Sequence, residues 1–246
     1  LSHPVFMLGS SIVFVFATTI MSLLSSKTIT IVGGGGVGST LAQSLVESNQ
    51  AKSVLIAARN PSKTKEALSQ DLAALVEPVS EAIAKADVII LAVPGGHSDE
   101  DIQKIAESLG NDLAGKLVID ATNPLSEFGD GMQVRWSQGT SGGEVLAKYL
   151  PSDTKVYKAF NTIGVEWMAR SKLLKEPMDM MFCGPDDSIA DVVAAVGFTP
   201  RYMGPLRYAR NLEAIAELWI HCAVPPLPAK QLGREWGFVV SGSLEK

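Results

Sequence analysis

The chain has 246 residues, 46% of them hydrophobic, and a formal net charge of −5. That length suits one α/β domain with at most a small appendage, and that apolar content excludes wholesale disorder. The acidic balance carries no footprint for a phosphate backbone, so nucleic acid is not expected as a partner. Two cysteines, Cys183 and Cys222, and three histidines, His3, His97 and His221, give neither a disulfide framework nor metal-ligand spacing. No metal is expected, and the thiols fit a reducing compartment, the cytoplasm or an organelle interior.

Leu1 to Ser26 contains no Asp, Glu, Lys or Arg. Its apolar part, residues 5–24, is about the length that spans a bilayer, and no basic region precedes it as a secretory signal requires. Three readings stand: a membrane anchor, part of a targeting presequence, or a hydrophobic tail packed on the domain or a partner. Residues 1–26 are therefore set apart, and 27–246 are read as the folded domain.

From Lys27 the pattern alternates strand and helix. TITIV (Thr28 to Val32) reads as a buried strand, followed by a glycine-rich turn and a helix through Leu41, Leu45 and Val46. SVLIAA (Ser53 to Ala58) is a second strand. Pro61 to Leu75 reads as helix, capped by Asn60 with proline at its first position. VIILAV (Val88 to Val93) is a continuous apolar run, as expected of a strand covered on both faces, and it stops at Pro94-Gly95-Gly96. Asp101 to Leu109 is helical, and Leu117 to Asp120 is a strand. Ser126 to Gly142 lacks periodicity and reads as a long loop. Glu144 to Tyr149 is a helix ended by Pro151, and Lys155 to Phe160 a strand. Met178 to Cys183 and Thr199 to Met203 are strands flanking a helix from Asp186 to Val196. Leu206 to Ala223 is the last long helix, broken by the prolines that follow. This alternation implies a mostly parallel sheet with helices on both faces and a C-terminal helical extension.

Within that frame, Gly33, Gly35 and Gly38 satisfy G-x-G-x-x-G between a strand end and a helix start, which is the context that the dinucleotide fingerprint of a Rossmann-type, doubly wound fold requires. The first glycine turns the chain, the second admits the pyrophosphate, and the third lets helix and strand pack. The helix N-terminus at Gly36 and Val37 then faces the phosphates. The end of the second strand selects the cofactor. NAD sites place an acidic residue there, whereas this chain reads Ala57-Ala58-Arg59-Asn60, with Lys63 one helical turn further on. The expected cofactor is NADP(H), held by Gly33, Gly35, Gly36, Val37, Gly38, Arg59, Asn60 and Lys63.

Three further segments end where such folds bind ligands: Val93-Pro94, Asn123-Pro124 and Phe160-Asn161-Thr162. Asn123 and Asn161 serve either the nicotinamide and a second substrate or simply their turns. His97 follows a Gly-Gly turn near the same face and reads first as a loop histidine.

The chain resembles the NADPH-dependent deazaflavin (coenzyme F-420) oxidoreductase family and the related NADPH-binding domain of six-transmembrane ferric reductases. The pieces that carry this are the glycine turn, AARNPSK (Ala57 to Lys63), LAVP (Leu91 to Pro94), VIDATNP (Val118 to Pro124) and KVYKAFNTIG (Lys155 to Gly164). FCGPDD (Phe182 to Asp187), GFTPRYMGPLRYARNLE (Gly197 to Glu213) and GREWGF (Gly233 to Phe238) match as well, so the likeness spans nearly everything after residue 26. It implies hydride transfer between NADP(H) and a flavin-like acceptor (a deazaflavin, FAD or FMN), with the Asn123 loop near the nicotinamide and Phe160, Asn161 and Thr162 at the transfer face. The deazaflavin enzymes commonly have His where this chain has Asn161, a departure that bears on the acceptor. No catalytic residue is assigned, because transfer between two cofactors needs stacking and distance rather than an acid or base.

The expected partners are a small-molecule or cofactor acceptor and a second copy of the chain in a homodimer. Three rival functions remain. One is reduction of a small imine or carbonyl, with Tyr157, Lys158 or His97 as proton donor. Another is a non-catalytic NADPH-sensing or partner-binding module. The last is electron delivery to a membrane metalloreductase carried on another chain.

Overall fold

The computed structural model describes residues 24–125, 134, 136, 139–175, 177–224 and 232–240. Most of the apolar N-terminal stretch and most of the expected 126–142 loop lie outside the described residues. Among the described residues no helix is long and apolar enough to cross a membrane.

Six strands form one sheet, every neighbouring pair parallel: β1 (Thr28–Val32), β2 (Ser53–Ala58), β3 (Val76–Pro78), β4 (Val88–Leu91), β5 (Leu117–Asp120) and β6 (Lys155–Lys158). Their order is β3-β2-β1-β4-β5-β6, so the chain reverses direction across the sheet between β1 and β4. That is the order of a Rossmann fold, and it opens a crevice at the switch point.

Alternation along the strands explains the continuous apolar runs. Ile29 and Ile31 of β1 and Ile90 of β4 face one layer, which holds Leu41 and Leu45 of α1 (Gly36–Ser48). Ile89 and Leu91 of β4, Val118 of β5 and Val156 of β6 face the other. There they meet Ile83 of α4 (Val79–Lys85), Ile102 and Ala106 of α5 (Asp99–Ser108), and Val145 and Leu146 of α6 (Gly142–Tyr149). A strand covered on both faces must be apolar at every position, which erases the alternating pattern of a half-exposed one.

Three departures from the sequence reading have local causes. The helix expected from Pro61 to Leu75 is two short ones, α2 (Pro61–Glu66) and α3 (Gln70–Ala73). Residues in α2 bury nothing, and α3 buries only Leu72, so no apolar face holds a single helix to the sheet. The chain turns instead so that Val76 pairs with Ile56. The brief β3 and α4 were not foreseen, nor was α7 (Val165–Met168). Leu24 is 5% exposed and packs in the core. Its carbonyl accepts from the backbone N–H of Lys27 at 2.8 Å and of Lys52 at 3.2 Å, so the last residues of the segment set apart as 1–26 pack with the domain.

The C-terminal third adds a second layer. β7 (Asp179–Phe182) and β8 (Thr199–Tyr202) pair in parallel around α8 (Ala190–Val196). They form a separate two-stranded sheet, tied to the main one by an antiparallel bridge between Lys158 and Cys183. α9 (Ala209–Ala223) closes the molecule over the ends of β5 and β6.

Candidate active site

The glycine turn places the three fingerprint glycines in different physical situations. Gly33 has φ +113°, and a Cβ there would stand 2.4 Å from the Ala92 carbonyl oxygen, a position that only glycine takes without strain. A Cβ on Gly38 would meet the Gly33 carbonyl oxygen at 1.9 Å, so this glycine lets α1 pack on β1. A Cβ on Gly35 would have nothing within 4 Å. Gly35 is the N-cap of α1 and makes no side-chain cap, so the first N–H groups of a thirteen-residue helix point out over an open cradle.

This cradle is one wall of a cavity of about 760 Å³. Gly33, Gly34 and Gly35, the β2 end at Ala57, Ala58 and Arg59, then Asn60 and Lys63, and the β4 end at Val93 and Pro94 all line it. It therefore occupies the switch point between β1 and β4. Asn60 caps α2 as expected, its Oδ1 accepting the Lys63 N–H at 3.1 Å. Gly36, Val37 and Gly38 are not among the lining residues. Thr64, Val79, Lys104, Ile105 and Ser108 are, and the sequence reading missed them. No motif marks them. The amphipathic period of α5 was the available signal for the last three.

Past Pro94 the chain leads to the second part of the site. Gly95 backs directly onto the Asn123 carbonyl, 2.0 Å from where its Cβ would be. The Asn123 side-chain amide donates to the Asn161 carbonyl at 3.0 Å. Asn161 Nδ2 donates to Asn123 Oδ1 at 3.1 Å and to the Leu212 carbonyl of α9 at 3.0 Å. Both amide hydrogens of Asn161 are thereby spent, while its buried Oδ1 accepts from nothing. Phe160 and Thr162, expected beside it as acceptor contacts, do not present their side chains. Phe160 is 1% exposed at φ +64° and packs against Phe198; Thr162 is 3% exposed and turns to Met180. The left-handed residue at Phe160 is what swings Asn161 across to α9.

Beneath the asparagine pair lies a buried ion cluster. Lys158 Nζ meets Asp120 at 2.8 Å, Glu213 at 2.9 Å and the Thr122 carbonyl at 2.7 Å. All three charged side chains are 1% exposed or less. Glu213 also accepts the N–H groups of Gly142 and Gly143, at 3.0 and 3.1 Å, at the start of α6. Burial alone would neutralise Lys158, but Asp120 and Glu213 outweigh it and raise its pKa above the ordinary value. The cluster holds Thr122 next to Asn123, and Glu213 next to Leu212, so both supports of Asn161 are anchored to it.

Neither of the remaining candidate proton donors lines the cavity. Burial and the Asp186 carboxylate, which accepts the Tyr157 hydroxyl at 2.6 Å, push the Tyr157 pKa well up. His97 is exposed, outside the cavity lining, and its backbone N–H donates to Asp101.

Fold and site together define an NAD(P)-binding Rossmann domain. Residues 28–124 match the family described as NADP oxidoreductase, coenzyme F420-dependent. Metalloreductase STEAP3 of Rattus norvegicus is 33% identical over 189 residues, covering 75% of this chain and 35% of the relative. The chain thus spans about a third of that protein's length. A structure from Arthrobacter sp. FB24, provisionally assigned as an F420-dependent NADP reductase, superposes with TM-score 0.64 at 22% identity over 79% of this chain and 92% of that one. The reductive aminase of Aspergillus terreus, in complex with NADPH4, cyclohexanone and allyl amine, gives 0.56 at 16% identity over 78% and 59%. At these identities the structural likeness concerns the fold.

Proposed function

We propose that the chain is an NADPH-dependent oxidoreductase that passes hydride between NADP(H) and a flavin-like ring, a flavin or a deazaflavin. The observation that carries this is the cavity at the switch point. It joins an open glycine cradle to Arg59 and Lys63 and has no carboxylate among its lining residues. Arg59 suits a 2′-phosphate because its planar fork makes paired, charge-assisted hydrogen bonds. NADPH, when bound, supplies the hydride. Gly33 to Gly35 bring backbone up to the pyrophosphate, and Val93 and Pro94 shape the wall that leads to the Asn123–Asn161 pair. Asn161, tied to Asn123 and to the Leu212 carbonyl, would hold the surface on which the acceptor ring stacks. Tyr157 is bound to Asp186, Lys158 is locked in its ion cluster, and neither they nor His97 line the cavity, which favours transfer between cofactors.

The identity to a metalloreductase supports a second reading. The chain would be the NADPH-binding portion of a metal-reducing protein, with the flavin-like ring as the first acceptor.

The test is titration of the purified protein with NADPH and NADH, then NADPH oxidation with FMN, FAD, a deazaflavin and small imines. NADPH is expected to bind more tightly, and Arg59→Ala to remove most of that preference. A charge-assisted hydrogen bond is worth about 1.5–3 kcal/mol. Equal affinity for the two nucleotides, or turnover with imines only, would overturn the reading.

A further inference from the structure

Three lining residues of the cavity are cations, Arg59, Lys63 and Lys104, in a chain whose net charge is −5. Arg59 and Lys63 follow β2. Lys104 comes from α5, across from them, and nothing in the glycine fingerprint or the β2 end points to it.

The helix sorts its charges. α5 is DEDIQKIAES, and Lys104 is its one cation among four acids, Asp99, Glu100, Asp101 and Glu107. None of those acids lines the cavity; Lys104, Ile105 and Ser108 do. Lys104 and Ser108, at i and i+4, share one helical face, and Ile105 borders it. Asp99, Glu100 and Asp101 sit in the first turn, where the helix dipole favours them, and Glu107 is held by Gln103 at 2.8 Å. The charge that remains on the cavity side is positive. Its ion pair with Asp101 is long, 4.0 Å, and the Lys104 side chain is 75% exposed, so the ammonium is not consumed by its own helix. Ile105 and Val79 add an apolar surface beside it, as a purine ring needs.

We propose that Lys104 is a specificity-determining residue that closes on the 2′-phosphate of NADP from the wall opposite Arg59. This rests on the NADP reading above. A phosphate dianion gripped from one side keeps most of its water; cations on two walls replace that shell more fully and read the charge rather than the ring. The flexible four-carbon stem of lysine suits this reach, as a planar guanidinium fixed to the β2 turn does not.

The experiment compares wild type, Lys104→Ala, Lys104→Glu and Arg59→Ala by fluorescence titration with NADPH and NADH at low and high salt. Lys104 stands exposed on a helix, so its substitutions spare the core. Lys104→Ala is expected to raise the NADPH Kd about fivefold, as befits a partly solvated charge-assisted contact, and Lys104→Glu more. The NADH Kd stays put. The gap between wild type and variant narrows as salt screens the exposed charge. If Arg59→Ala abolishes the preference but neither Lys104 variant alters it, or if both Kd values move together, the assignment of Lys104 is wrong and the NADP reading survives. If wild type itself shows no preference for NADPH, both fall.

Discussion

The two ends of the site are built on opposite principles. At β1 and β2 the site consists of backbone, three glycines and exposed cations, with nothing buried that is charged. At β5 and β6 it consists of a buried lysine between two buried carboxylates, supporting two asparagines. The first end recognises a charged, hydrated ligand and must stay open to it. The second holds its groups in one geometry by leaving the charges no other partner. Recognition at the first end is cheap to lose without unfolding, whereas the second end is part of what keeps α6, α9 and the sheet together.

The largest expected effect follows from that contrast. Lys158→Met keeps the volume but leaves Asp120 and Glu213 facing each other unpaired in the interior, and breaking such a buried pair typically costs about 3–5 kcal/mol. Urea unfolding at neutral pH measures it. Adding Asp120→Asn and Glu213→Gln, which removes the orphaned charges, is expected to restore part of the loss. A cost below about 1 kcal/mol for Lys158→Met would show the cluster to be uncharged or hydrated, contrary to its burial.

Within the glycine turn the contrast is sharper still, between neighbours. Gly38→Ala drives a methyl toward the Gly33 carbonyl and is expected to cost about 1–3 kcal/mol, as overpacking does. Gly35 sits at φ −76° and ψ −174° with open space around it, so Gly35→Val should cost no more than a poorer helix N-cap does, about 1 kcal/mol. The same valine would fill the phosphate cradle, and NADPH binding is expected to vanish. Thermal melts with parallel nucleotide titrations check both. If Gly35→Val still binds NADPH normally, the cradle lies elsewhere.

The smallest effect concerns acid stability on the side remote from the nucleotide cavity. Hydrogen bonds from Lys155, Ser188 and Tyr157 hold the Asp186 carboxyl well below its ordinary value of 3.8. A carboxylate with a lowered folded pKa contributes stability fully above the unfolded value and loses it as the pH falls through the folded one. Asp186→Asn is therefore expected to flatten the loss of stability below about pH 4, compared with wild type in urea titrations across pH 2–6. An unchanged acid limb would mean that the exposed carboxylate is screened by water.

Chain order and spacing alone determined the doubly wound parallel fold and the nucleotide end of the site. Apolar runs mark strands covered on both faces, and the glycine turn, the missing acid after Ala58, Arg59 and the Asn60 cap are all local in sequence. A backbone cradle is specified by neighbours, so it is legible from neighbours. Only tertiary structure decided the rest. It split residues 61–75 into two helices to free Val76 for β2, drew Leu24 into the core, and set β7 and β8 in their own sheet. It also turned the Phe160 and Thr162 side chains inward, leaving Asn161 to α9, and joined Asp120, Lys158 and Glu213. Asp120 and Glu213 lie 93 positions apart by their numbers, and no spacing rule relates them. They meet because a buried ammonium in low dielectric must find every compensating charge that the fold can bring to it, and which charges those are depends on how α9 closes over the sheet.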